Sequence, residues 1–150
     1  MMETSKGDIF QSAAEALVNP VNCVGVMGKG LARQFRDAYP RMNAKYVEAC
    51  RDGDVLIGEM WVYGTGNLLG PKWIINFPTK VHWKDPSKKE YIENGLIDLA
   101  DRVHAMGIRS VAIPALGCGL GQLDWGVVYP MLQELAQDLP QVRFEIYEPQ

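Results

Sequence analysis

The chain has 150 residues, 47% of them hydrophobic and 22% charged, with 15 basic against 18 acidic side chains and a formal net charge of −3. That size and balance describe one globular domain and exclude the strongly basic surface of a protein that grips long nucleic acid through its phosphates. No run approaches the roughly 18 apolar residues that cross a membrane. The opening residues lack an apolar signal core, and the three cysteines are too far apart for a zinc or disulfide pattern, so a cytoplasmic protein is expected.

Gly7 to Phe10 close a short N-terminal segment, and residues 16–22 read as a buried strand ending in polar groups. A glycine-rich stretch, Val24 to Gly30, follows. Leu31, Phe35 and Tyr39 recur at helical spacing, which predicts a helix from about Gly30 that stops before Pro40. Pro40 suits the first turn of a second helix, through Tyr46 and Cys50, which Asp52 and Gly53 end. Two β-rich runs, 59–63 and 72–77, are joined by a glycine- and proline-bounded connection that predicts a hairpin. Residues 78–87 read as an irregular basic segment. A long helix over 88–106, a strand at 110–113, a helix over 124–139 and a last strand at 142–147 complete the chain. This alternation predicts a three-layer α/β/α domain around a mixed, mostly parallel sheet.

The stretch 114–121 carries glycine at 117, 119 and 121, directly after the strand at 110–113. Glycine serves a plain tight turn, and it equally lets backbone N–H groups approach a phosphate. Both glycine stretches follow a strand and precede a helix, the place where open α/β sheets bind ligands. Their pairing favours a phosphate-bearing ligand. Neither matches the GxxxxGK[ST] phosphate loop or a GxGxxG at the head of a βαβ unit, which argues against ATP hydrolysis and nicotinamide chemistry.

Four motifs in order, Gly7-Asp8-Ile9, Val18-Asn19 with Asn22, Met27-Gly28-Lys29-Gly30 and Pro114 to Gly121, resemble the macrodomain family nearly end to end. Asn76-Phe77-Pro78-Thr79-Lys80-Val81-His82-Trp83 resembles its lysine-dependent terminal ADP-ribose glycohydrolase branch, closest to the DNA-directed antitoxin members that strip ADP-ribose from thymidine. The resemblance implies a single macrodomain over 1–150, or a piece of a longer protein whose remainder contacts a cognate ADP-ribosyltransferase toxin. It implies no cofactor and no metal, and ADP-ribosylated single-stranded DNA as the substrate. Two other functions stay open: a non-catalytic reader of ADP-ribose, and a hydrolase of ADP-ribose on protein glutamate.

By the same resemblance, Asp8 accepts from the adenine amino group beside the Ile9 N–H, and Tyr147 either stacks on the adenine or belongs to the core. Asn22 either bonds ribose hydroxyls or closes a local turn. Val26, Met27, Gly28 and Gly30 wrap the distal ribose, and Gly117, Cys118, Gly119, Leu120 and Gly121 offer amides to the diphosphate. Lys80 is the catalytic residue. A nucleophilic lysine must be neutral, so its pKa has to fall through burial or a neighbouring cation, and Lys72, His82 and Lys84 lie near in sequence. His82, Trp83 and Lys84 either contact a DNA base and phosphates or form a solvated loop. Protein-directed members carry an aspartate at position 121. Gly121 would instead leave room for a base, and Asp124, the nearest acid, has the place of a helix N-cap.

Overall fold

The computed structural model describes residues 1–150. Its elements in order are β1 (Met2–Ser5), β2 (Ala16–Val21), α1 (Gly30–Ala38), α2 (Pro40–Arg51), β3 (Trp61–Gly64), β4 (Trp73–Pro78), α3 (Lys89–Ala105), β5 (Ser110–Ile113), α4 (Trp125–Asp138) and β6 (Arg143–Tyr147). The strands make one sheet in the order β1-β6-β5-β2-β4-β3. All neighbours run parallel except β3, which pairs antiparallel with β4 as the expected hairpin.

The side-chain alternation of the strands explains the layers. From β2, Ala16 and Val18 face one core with Ile75, Phe77, Val111 and Ile113, covered by α3 and α4. Leu17 and Val21 face the opposite core with Ile74 and Ala112, covered by α1 and α2. A strand buried on both faces carries an almost unbroken apolar run, as β2 does.

β1 lies in the short N-terminal segment, for which no strand was expected. Its residues are mostly polar and half-exposed, so no hydrophobic period marks it. Backbone pairing with β6 forms it, from Met2 beside Phe144 to Ser5 beside Tyr147, and the terminal amino group donates to the Val142 carbonyl at 3.1 Å. Its polar side chains suit an edge strand.

The layer that positions the later chemistry is fixed by one close contact. Gly95, in the middle of α3, packs on the Phe77 ring, and a Cβ at position 95 would collide with the ring's Cζ and Cε1. Phe77 lies three residues before Lys80, so this contact sets the height of α3 over the end of β4. Gly95→Ala gains about 1 kcal/mol of helix propensity but overpacks the core by about 1–3 kcal/mol. Urea unfolding is expected to show net destabilisation; a more stable variant would mean the helix stands off the sheet.

Candidate functional site

Three adjacent parallel strands, β5, β2 and β4, send their carboxyl ends to the same edge of the sheet. The loops that leave them surround a cleft of about 860 Å³, within the range of small-molecule sites. Asp8, Ile9, Asn22, Val26, Gly28, Gly30, Lys80, Trp83, Gly117, Cys118, Gly119, Leu120, Gly121 and Tyr147 all line it.

The loop after β5 turns on its own backbone. Gly117 has a left-handed φ of 73°, and the Leu123 N–H donates to its carbonyl at 2.8 Å. A Cβ on Gly121 would lie 2.5 Å from that carbonyl oxygen and 2.9 Å from the Gly117 Cα. Gly121 is therefore glycine because the loop closes on itself. The expected opening beside a ribose is not what its missing side chain provides. The amides of Gly119, Leu120 and Gly121 donate to no group within the protein, while the Cys118 N–H is taken by the Ala115 carbonyl at 3.1 Å. Cys118 thus borders the cleft without contributing a free amide. Burial, with Asp124 nearby, raises its thiol to about 11, which leaves it protonated and inert.

The loop after β2 is organised by Asn22, which is 5% exposed. Its carboxamide oxygen accepts from the N–H of Val24 at 3.0 Å and of Val26 at 3.3 Å, and its amide donates to the Val26 carbonyl at 2.7 Å. The Tyr46 hydroxyl lies 2.8 Å from the same oxygen. The turn alternative is the one observed: the oxygen is fully engaged and the side chain shapes the loop. Met27 is a correction. It is 2% exposed, packs in the core on the α1 side and meets the Asn19 amide through its sulfur, so it does not line the cleft. The side chain of Val26, 41% exposed, does face the cleft.

Sequence reasoning placed the start of α1 but missed its uncapped first turn as part of the cleft. No side chain caps this helix, and Lys29, Leu31 and Ala32 line the cleft at its first turn. An uncapped helix N-terminus offers N–H groups and a partial positive charge to an anion. Gly30, with φ 57°, lets the chain enter the helix there, and its Cα approaches Leu120 of the opposite loop closely enough that a Cβ would be 3.4 Å from it. The expectation of a helix beginning at Gly30 contained the signal; its missing cap did not stand out from the sequence.

Asp8 caps a short 3-10 turn, Ile9–Gln11, by accepting from the Phe10 N–H at 3.0 Å through one carboxylate oxygen. That oxygen serves a local turn, and the exposed carboxylate still borders the cleft. Ile9 is buried beneath it. Tyr147 belongs to the core, at 9% exposed, and also lines the cleft, its hydroxyl donating to Glu145 at 3.3 Å.

The third loop follows β4. The Thr79 N–H donates to the Val21 carbonyl and the Cys23 N–H to the Val81 carbonyl, both at 2.9 Å. These bonds tie the loop after β4 to the loop after β2 just past the strand ends, and Lys80 and Asn22 line the same cleft. The half-buried Lys80 donates from Nζ to the Trp83 carbonyl at 3.0 Å. Its pKa is lowered by burial, against Asp85, which pulls it up. The expected help from neighbouring cations is corrected: Lys72 precedes Trp73 at the far end of β4, and neither His82 nor Lys84 contributes. Trp83, 41% exposed, lies in the cleft wall, but His82 and Lys84 lie outside it. They flank the indole, His82 stacked at 5.4 Å between centroids and the Lys84 Nζ 5.1 Å from the ring centre. Asp124 is the N-cap of α4, accepting from the Gly126 N–H at 3.1 Å, and is absent from the cleft lining. No three His, Cys, Asp or Glu side chains are grouped to hold a metal ion, and no helix is long and apolar enough to cross a membrane.

The model of the Macro domain family matches residues 18–132. The chain belongs to the macro domain family. Among curated macrodomain relatives, the DNA ADP-ribosyl glycohydrolase of Mycobacterium tuberculosis is 53% identical over 149 residues, covering 99% of this chain and 42% of the relative. The DNA ADP-ribosyl glycohydrolase of Thermus aquaticus is 47% identical, covering 99% and 41%. This macrodomain therefore spans about two fifths of the length of those relatives. The solved macrodomain of M. tuberculosis DarG superposes with a TM-score of 0.99, covering 100% of this chain and 99% of that one. Thermosipho africanus DarTG in complex with ADP-ribose superposes at 0.93 with 35% identity, covering 99% and 41%.

The macrodomain glycine loop gives a paired test. Gly121→Ala forces a methyl onto the Gly117 backbone, whereas a Cβ on Gly119 meets nothing within 4 Å. Overpacking of about 1–3 kcal/mol corresponds to several degrees in a domain of this size. Calorimetry is expected to show that loss for Gly121→Ala and a near-native melting temperature for Gly119→Ala; equal melting temperatures would contradict the self-closed loop.

Proposed function

We propose that this macrodomain is a DNA ADP-ribosyl glycohydrolase that removes ADP-ribose from thymidine in single-stranded DNA, and so acts in the cytoplasm as antitoxin to a DNA ADP-ribosyltransferase. The observation that carries the reading is Lys80: a half-buried amine with a lowered pKa, lining the same cleft as a row of unpaired backbone amides. Its support from relatives is their names, two DNA ADP-ribosyl glycohydrolases and, in T. africanus, a DNA ADP-ribosyl transferase-DNA ADP-ribosyl glycohydrolase fusion protein 36% identical over 159 aligned positions.

In this reading the adenine lies between Asp8 and Tyr147. The diphosphate takes the amides of Gly119 to Gly121 and the first turn of α1, and the distal ribose reaches Lys80. Cleavage of its glycosidic bond develops positive charge at the anomeric carbon. A neutral amine beside that carbon attacks it or activates the group that does, water replaces the thymine, and the proton leaves with the base. With one N–H given to the Trp83 carbonyl, a neutral Lys80 keeps its lone pair free. Trp83 is exposed at the cleft wall, where a base of the strand can stack. Glycine at position 121, where the protein-directed members carry an aspartate, and the role of the nearest acid, Asp124, as a helix cap weigh against hydrolysis on protein glutamate. A binding-only reader has no use for a desolvated lysine.

Lys80→Ala is expected to reduce release of ADP-ribose from a thymidine-modified oligonucleotide by about 10²-fold or more, with ADP-ribose affinity by calorimetry near wild type. Gly119→Glu is expected to do the reverse at the first step, abolishing ADP-ribose binding by placing a carboxylate against the diphosphate. Turnover surviving Lys80→Ala would assign catalysis elsewhere, and unimpaired affinity in Gly119→Glu would move the diphosphate off this loop. In the wild type the rate rises with pH as Lys80 loses its proton, with a midpoint below that of an ordinary lysine because burial disfavours the ammonium. A flat profile up to the ordinary lysine range would show that the neutral amine is not required.

A further inference from the structure

Ser87 lies in the basic segment before α3, yet it is only 6% exposed. Its hydroxyl donates a short hydrogen bond to the carbonyl of Thr79, the residue before Lys80. Its N–H donates to the Gly121 carbonyl at 2.8 Å. Its side chain also packs close to Gly117: a Cβ there would lie 3.1 Å from the Ser87 hydroxyl oxygen and 3.3 Å from its Cβ, besides 2.7 Å from the Leu123 Cδ1. Thus one residue closes the base of the loop 80–86, which carries Lys80 and Trp83, and ties that base to the glycine loop.

We propose that Ser87 is a positioning residue that couples the glycine loop to the placement of Lys80. The other bonds within the lysine loop are local: Asp85 N–H to the His82 carbonyl, Lys84 N–H to His82 Nδ1, and Lys80 Nζ to the Trp83 carbonyl. Besides the pairing of Val81 with Cys23 and of Thr79 with Val21, the Ser87 hydroxyl is what holds the two ends of the loop together. The hydroxyl bond sets where the chain leaves Thr79, and hence where the Lys80 side chain starts. The amide bond makes that position follow Gly121. A ligand that orders the glycine loop therefore orders the start of the lysine loop before anything touches the amine. A displacement near 1 Å at a reacting group costs up to about 10²-fold in rate, so a loosened clamp is felt in turnover rather than in binding.

This inference rests on the catalytic reading of Lys80, and the test separates the two. Ser87→Ala removes the hydroxyl and keeps the amide. Its expected outcome on thymidine-modified oligonucleotide is a kcat about tenfold to a hundredfold below wild type, with KM and the ADP-ribose Kd within about threefold. Unchanged kcat, or a fall in affinity that matches the fall in kcat, overturns the positioning role. Lys80→Ala measured alongside reports on the underlying reading: wild-type turnover in that variant sinks the reading itself, whatever Ser87 does. A second measurement needs no variant. ADP, which lacks the distal ribose, is expected to slow amide exchange at Thr79 and Ser87 in the wild-type protein as well as at 117–121. Protection confined to 117–121 overturns the coupling.

Discussion

The site depends on a backbone contact: Gly121 laid against Gly117. Because the loop closes there, the amides of 119–121 cannot turn inward to partners of their own and remain unpaired at the cleft. Because it closes there, the Gly121 carbonyl also faces Ser87, and through it the end of β4. A side chain at Gly121 would press on the Gly117 backbone and disturb both consequences together. Left-handed Gln122, with φ 66°, completes the reversal that returns the chain to α4.

In the proposed reading, that architecture answers an electrostatic problem. A diphosphate favours the protonated form of any amine near it, and a catalytic lysine needs the neutral form. Holding the anion by backbone dipoles, rather than by further lysines or arginines, meets much of its charge without adding side-chain cations to an acidic protein of net charge −3. Burial then lowers the pKa of Lys80 while its remaining charged influence, Asp85, opposes the shift only in part. In the proposed reading, binding and chemistry fall to different loops of one sheet edge, joined by Ser87.

The layers and the two glycine loops were legible in the sequence because their signals are local. An apolar run with a fixed period marks a strand or helix, and glycine where a strand meets a helix marks a close approach of backbone. What escaped was set by partners distant in sequence. β1 is polar and exists through its pairing with β6. Met27 sits among cleft residues in the sequence, yet its side chain turns to the core because Asn22 folds the loop around itself. Ser87 stands among lysines, with nothing local to announce that it is buried between two loops. The lowered pKa of Lys80 was expected from burial or from neighbouring cations; of the two, burial is the cause, and no spacing of charged residues encodes it.

The most direct measurement is a crystal structure of the protein with ADP-ribose bound. The account predicts the diphosphate across the amides of 119–121, and the Lys80 Nζ within about 3–3.5 Å of the anomeric carbon of the distal ribose. A diphosphate bound away from that loop, or a distal ribose turned toward solvent with the amine out of reach, would contradict it.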